Sequence, residues 1–259
     1  MKSKNTKIVA IINQKGGVGK TTTAINLAQA LALQNMNILV VDLDPQGNAT
    51  QGLGISLEDV TNSIAELIRD NSIPTESAVY EGTGLNLIPA TPLLASVQRE
   101  MVGITNSELR LAARLAKLQE YDMIFVDTPP TFGPLMNSAL NAADELIVPV
   151  DSNYFGLMGI KNLLSEIEAV QLSNPKLKVS GYLMTLVDQT KVTLETLEAL
   201  ESAFGDKIFR SKIRRCVKLR EAPALGRTIF HHAPSSIAAE DYLSLAAEVL
   251  ERSGVLIQQ

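Results

Sequence analysis

The chain has 259 residues, with 28 acidic and 23 basic side chains, a formal charge of −5, 46% hydrophobic and 20% charged residues. This composition excludes wholesale disorder and the collagen-like or low-complexity classes. The one cysteine, Cys216, excludes an internal disulfide framework and any multi-cysteine zinc or iron–sulfur site built within one chain. In chain order, Lys7–Asn13 (KIVAIIN) reads as a buried strand, and Thr21–Gln34 as a helix through Ile25, Leu27, Ala28, Leu31 and Ala32. Asn37–Asp42 (NILVVD), Leu85–Pro89, Asp122–Asp127 (DMIFVD), Glu145–Val150 (ELIVPV) and Val179–Val187 repeat the strand signal. Helical spacing falls at Ser107–Gln119, Gly159–Leu172, Thr193–Phe204 and Ser235–Arg252. The least regular stretch, Thr50–Gly84, reads as partly helical surface structure.

Strands apolar on both faces that alternate with helices predict a doubly wound α/β fold, a mostly parallel sheet with helices on both sides. No linker or fixed-period repeat interrupts it, so residues 1–259 read as one domain. The apolar run Ile8–Ile12 is too short for a signal h-region, and no stretch reaches the ~20 apolar residues of a membrane span. A cytoplasmic location is the expectation.

The strongest motif is Asn13-Gln14-Lys15-Gly16-Gly17-Val18-Gly19-Lys20-Thr21-Thr22, between a predicted strand and a predicted helix. That context suits a phosphate loop, in which glycines let the backbone turn tightly and aim N–H groups at phosphate oxygens. The following helix adds its positive end. Lys20 places a charge on the β- and γ-phosphates, and the Thr21 hydroxyl is a candidate magnesium ligand. The ordinary loop pattern needs glycine at position 14, where this chain has Gln14, and a second lysine, Lys15, precedes Gly16.

Two acidic motifs end strands. Asp42 and Asp44 lie in Val40-Val41-Asp42-Leu43-Asp44-Pro45-Gln46-Gly47-Asn48, and Asp127 in Ile124-Phe125-Val126-Asp127-Thr128-Pro129-Pro130. Ligands of open α/β sheets bind beyond the carboxyl ends of the strands, so both motifs can face the phosphate loop. Asp127 fits a magnesium-holding carboxylate acting through water, and Asp44 a residue that orients or polarises attacking water. Thr21, Asp44 and Asp127 form the candidate Mg²⁺ set around ATP, with Asp42 as support.

With its K-G-G-x-G-K-T loop, the chain resembles the deviant-Walker ATPases of the ParA/Soj and MinD superfamily. The resemblance implies that Lys15 reaches across an ATP-sandwiched homodimer to the other subunit's phosphates. The stretches VDLDPQGN, DTPPTFGPLMNSALNAAD, and IVPV with Tyr154, Leu157, Gly159 and Ile160 point to the ParA/Soj branch. So does Val217-Lys218-Leu219-Arg220-Glu221-Ala222-Pro223, and the match runs from about residue 7 to 250. The chain begins almost at its first strand, so the likeness is to the Soj-like form without an N-terminal helix-turn-helix domain.

Residues Gly205–Arg220 hold seven basic side chains against the single acid Asp206, a segment of +6 in a chain of −5. The overall acidic balance argues against nucleic acid; the local patch argues for phosphate neutralisation without sequence reading. The resemblance implies nonspecific binding of double-stranded DNA by the ATP dimer, with Lys191, Arg214, Arg215, Lys218 and Arg220 as candidate contacts. Thr190 and Lys218 stand where the family has arginines. It also implies hydrolysis stimulated by the basic N-terminal peptide of a ParB-like partner, nucleoid association, and a cargo that is a chromosome, a plasmid or a protein cluster. The alternative, a MinD-like membrane switch, needs a basic amphipathic C-terminal helix. The tail Glu248–Gln259 has one arginine, two acids and an interrupting Gly254, so no stable membrane association is expected. Cys216 reads as structural, and His231 and His232 as surface or packing residues on a loop.

Overall fold

The computed structural model describes residues 6–151 and 156–253, without the side chains of 156–159 and 161. Tyr154, residues 1–5 and the tail from Gly254 onward, all cited above, lie outside the described residues. The elements are β1 (Lys7–Ile11), α1 (Lys20–Ala32), β2 (Ile38–Asp42), α2 (Asn48–Gly52), α3 (Ile64–Arg69), β3 (Tyr80–Glu81) and β4 (Asn86–Ile88). Then come α4 (Leu93–Met101), α5 (Arg110–Leu115), β5 (Met123–Asp127), α6 (Pro134–Ala142), β6 (Glu145–Asp151) and α7 (Gly156–Val170). The rest is β7 (Lys178–Thr185), α8 (Lys191–Phe204), α9 (Lys218–Ala224), α10 (Ile229–His232) and α11 (Ile237–Ser253).

The sheet has the order β3-β4-β2-β5-β1-β6-β7, parallel throughout except for the β3–β4 pair. Alternate side chains of each strand enter two separate cores, as the two-residue period of a strand requires. Ile8, Ala10, Leu39, Val41, Ile124 and Val126 face α3 to α7 on one side. Val9, Ile11, Ile38, Val40, Met123 and Phe125 face α1, α10 and α11 on the other. The doubly wound expectation therefore holds. Pro149 sits inside β6 at a point where β1 has already ended, so its missing N–H breaks no ladder with that strand. Its carbonyl accepts instead from Asn13 Nδ2 at 2.7 Å.

The structure differs from the sequence-based expectation in several elements. The predicted helix Ser107–Gln119 is a 3₁₀ turn at Ser107–Leu109 followed by the short α5. Helices α4, α6, α9 and α10 were not expected from the sequence pattern. Thr50–Gly84 is not simply surface: Ile64, Ala65, Leu67 and Ile68 of α3 are core. That helix starts from a Ser63–Glu66 capping box, whose reciprocal bonds satisfy the first N–H groups. His231 and His232 end α10 rather than lying on a loop. His231 Nδ1 meets the Thr228 hydroxyl at 2.9 Å, and His232 Nε2 meets Glu221 at 2.9 Å. Cys216 is half-buried against the second core.

Candidate functional site

The loop between β1 and α1 turns through two left-handed glycines, Gly17 (φ 76°) and Gly19 (φ 86°), a conformation that strains any residue with a Cβ. Gly16 and Gly17 are exposed, whereas Val18 and Lys20 are buried. The first turn of α1 carries neither a side-chain cap nor an acid, so its N–H groups are open to an anion. Asn13 braces the loop by accepting Lys15 N–H at 2.9 Å while donating to Pro149.

The two lysines are held differently. Lys20 Nζ donates to the Lys15 carbonyl at 3.2 Å. Burial pushes its pKa down, against the charges of Asp127 and then Asp44. The Lys15 side chain is 38% exposed, and its Nζ pairs with Asp151 Oδ2 at 2.6 Å. Asp151 ends β6 as Asp42 ends β2 and Asp127 ends β5. The strand-end rule that singled out Asp42 and Asp127 would have found Asp151 as well.

The carboxylates face one another. Asp42 and Asp127 are register partners on adjacent strands. Asp42 is fully used: Oδ1 accepts Asp44 N–H at 3.1 Å, and Oδ2 accepts the Thr50 N–H at 2.8 Å and hydroxyl at 2.7 Å. It thereby caps α2, whose own cap residue Gly47 offers no side chain, and shapes the Asp44 turn. Burial raises the Asp42 pKa to about 6, against the Thr50 and Asp44 hydrogen bonds. Asp44 Oδ1 accepts Gln46 N–H at 3.0 Å.

Asp127 is the opposite case. It is fully buried, and neither oxygen accepts a hydrogen bond. Burial, then the Asp42 charge, raises its pKa well above the carboxylate range, while the nearby Thr21 hydroxyl and Lys20 favour the ionised form. An orphaned buried carboxylate beside a hydroxyl and a second carboxylate, Asp44, fits a divalent cation. Among the described residues no three His, Cys, Asp or Glu groups could hold a metal by themselves. The groups gathered here, the Asp127 and Asp44 carboxylates and the Thr21 hydroxyl, are all oxygen donors, which suits Mg²⁺, an ion that keeps waters and takes oxygens from substrate phosphates.

Of the candidate nucleic-acid contacts, Arg214 and Arg215 lie beside the chain that leaves β7, and Lys218 and Arg220 follow on α9. Val187 bridges Arg214, and Val187 O accepts Arg215 N–H at 2.9 Å, which brings the turn before Lys191 beside Arg215. Lys191, Arg214, Arg215, Lys218 and Arg220 are all exposed. Two of them carry partners: Arg214 Nη2 meets Asp241 at 2.6 Å, and Lys218 Nζ meets Glu221 at 2.8 Å. No helix among the described residues is long and apolar enough to cross a membrane.

The family described as the AAA domain matches residues 6–179. The chromosome-partitioning ATPase Soj of Thermus thermophilus is 44% identical over 246 residues, covering 94% of this chain and 95% of that one. The chain belongs to the ParA/Soj family of partition ATPases. The sporulation initiation inhibitor protein Soj of Bacillus subtilis is 41% identical, over 94% of this chain and 98% of its own. Among solved structures, a cobyrinic acid a,c-diamide synthase of Mycobacterium smegmatis with bound ATP analogue and magnesium superposes with a TM-score of 0.84. It is 30% identical and matches over 96% of both chains. The ParA/Soj assignment agrees with the loop, the strand-end carboxylates and the sheet order described above.

Proposed function

We propose that the chain is an ATP-driven partition switch, acting as one ATPase domain on the nucleoid. It binds Mg²⁺ and ATP, pairs with a second copy around the nucleotide, and in that state binds double-stranded DNA without reading sequence. Slow hydrolysis, stimulated by a ParB-like partner, releases it. The observation that carries this reading is the second loop lysine, Lys15, beside the buried Lys20. One lysine serves the chain's own triphosphate; the other, partly exposed and paired with Asp151, reaches a partner's once it leaves that aspartate.

Gly16–Gly19 and the first-turn N–H groups of Lys20, Thr21 and Thr22 cradle the phosphates, and Lys20 offsets their charge. Thr21 and Asp127, with Asp44 nearby, would hold the Mg²⁺. That ion supplies charge neutralisation and orientation of the phosphate oxygens. Asp44, ordered by Asp42, polarises the attacking water. The exposed bases near β7 and α9 meet the DNA backbone.

Gel shift with ATP, ADP and no nucleotide, run beside lipid co-sedimentation, tests the reading. DNA retardation with ATP alone is expected. Equal retardation in all three states, or sedimentation with vesicles without DNA binding, overturns it; the second result would favour the MinD-like alternative.

A further inference from the structure

We infer that Thr185, the last residue of β7, is a positioning residue that holds the phosphate loop in its anion-binding conformation. Its hydroxyl donates to the Val18 carbonyl at 2.8 Å, and the Val150 carbonyl lies at 3.2 Å as a second acceptor. Thr185 is 2% exposed and Val18 1%, so the bond is sealed from water. Thr185 is also the register partner of Asp151, the residue that pairs with Lys15. One side chain therefore joins the loop, β6 and β7.

The consequence follows from peptide geometry. The chain has no cis peptide bond among its described residues, and in a planar trans peptide the C=O and N–H point in opposite directions. Drawing the Val18 carbonyl toward β7 turns the Gly19 N–H away from β7. The exposed Gly16–Gly17 backbone precedes this peptide and the uncapped first turn of α1 follows it.

The Val18–Gly19 peptide needs such a tether. It turns about the Val18 ψ and the Gly19 φ (86°), and glycine adopts either sign of φ with little penalty. A flip of that peptide would aim a carbonyl, not an N–H, at the phosphates. Threonine suits the task because its β-branch restricts χ1 and so fixes the hydroxyl direction. Its methyl also lies against Gly19, where a Cβ would come within 3.9 Å of Thr185 Cγ2.

This inference rests on the loop binding nucleotide, and the experiment separates the two. Fluorescent-nucleotide titration with Mg·ATP and Mg·ADP compares wild type, Thr185→Val and Thr185→Ser. The valine variant keeps shape and loses the donor; the serine variant keeps the donor. Thr185→Val is expected to bind both nucleotides about tenfold more weakly, as removal of one buried hydrogen bond implies. Thr185→Ser should stay within about threefold of wild type. In hydrolysis assays the valine variant raises KM and leaves kcat at saturation near wild type. Should Thr185→Val not fold, Thr185→Ala against Thr185→Ser makes the same comparison. Wild-type affinity in the donor-less variant, or equal weakening in Ser and Val, overturns the inference. Failure of wild type itself to bind nucleotide overturns the loop reading instead.

Discussion

Three parallel strands end in aspartate at the carboxyl end of the sheet, and their surroundings give them three different states. Asp42 is saturated by Thr50 and the Asp44 backbone, so it organises the turn that carries Asp44. Asp127 is buried with both oxygens unpartnered, so it has the greatest need of a cation. Asp151 holds Lys15. In the proposed function Asp44 is the carboxylate that acts on water: Asp42 orders its turn, and its charge reaches Lys20. Asp44→Ala should keep nucleotide affinity within about threefold while phosphate release falls about 100-fold or more, the usual worth of a positioned acid–base group. Normal turnover in that variant would remove Asp44 from the role. The Lys15–Asp151 pair predicts a second effect. A lysine that must leave its own aspartate to reach a partner's phosphate has first to break that pair. Asp151→Asn should therefore lower the ATP concentration for half-maximal dimerisation, by about threefold for a partly exposed pair. Light scattering across an ATP titration reads this, and an unchanged or higher midpoint would contradict it.

At the scale of elements, α11 holds the basic segment that runs beside β7. Glu248 accepts the N–H groups of Arg210 and Ser211 at 2.9 Å each and pairs with Arg252 at 2.8 Å. Asp241 takes Arg214 in the same way. Burial works against Glu248, but the Ser211, Arg210 and Arg252 bonds outweigh it and lower its pKa. Stability from such a carboxylate is present above its unfolded pKa of ~4.3 and is lost as pH falls through the lower folded value. Glu248→Gln should thus melt below wild type at pH 7, with the gap closing in acid; a gap constant with pH would show that packing, not charge, is responsible. These anchors also explain what the sequence conceals. Strands β1, β2, β5 and β6 are legible because burial on both faces leaves largely apolar runs, and the edge strand β7 through its buried half from Gly181 to Thr185. Helix α6 is hidden by Gly133 and Pro134, which read as a turn although proline at the first helical position is favourable. Helix α9 contains Pro223, which also argues against a helix. The phosphate loop and strand-end aspartates are legible because they are contiguous motifs. Lys15–Asp151 and Thr185–Val18 are not, since partners 136 and 167 positions apart meet only through the parallel crossovers of the sheet.

Across the whole molecule, charge is divided rather than balanced. The segment Gly205–Arg220 carries +6, which leaves −11 on the other 243 residues. The acidic remainder is not remote: Asp241, Glu248 and Glu251 of α11 meet Arg214 and Arg210 directly. Those two arginines are therefore partly neutralised within the fold, and Arg215, Arg220 and Lys191 carry more of the available charge. On the proposed function, a single copy would offer DNA a modest patch within a repelling body, whereas a pair would offer two patches at once. Binding that depends on neutralised phosphates falls steeply with salt, by a slope of about −0.9 per phosphate. Neutralising Arg215 and Lys218 together should weaken ATP-dependent binding similarly on unrelated DNA sequences. It should also flatten the salt slope by about 1 for each phosphate that the dimer no longer neutralises. Lys218 already has Glu221 as a partner, so Arg215→Ala alone should account for the larger share. An unchanged slope in the double variant would place the DNA-binding surface elsewhere on the molecule, and a weakening confined to one sequence would contradict recognition through the backbone.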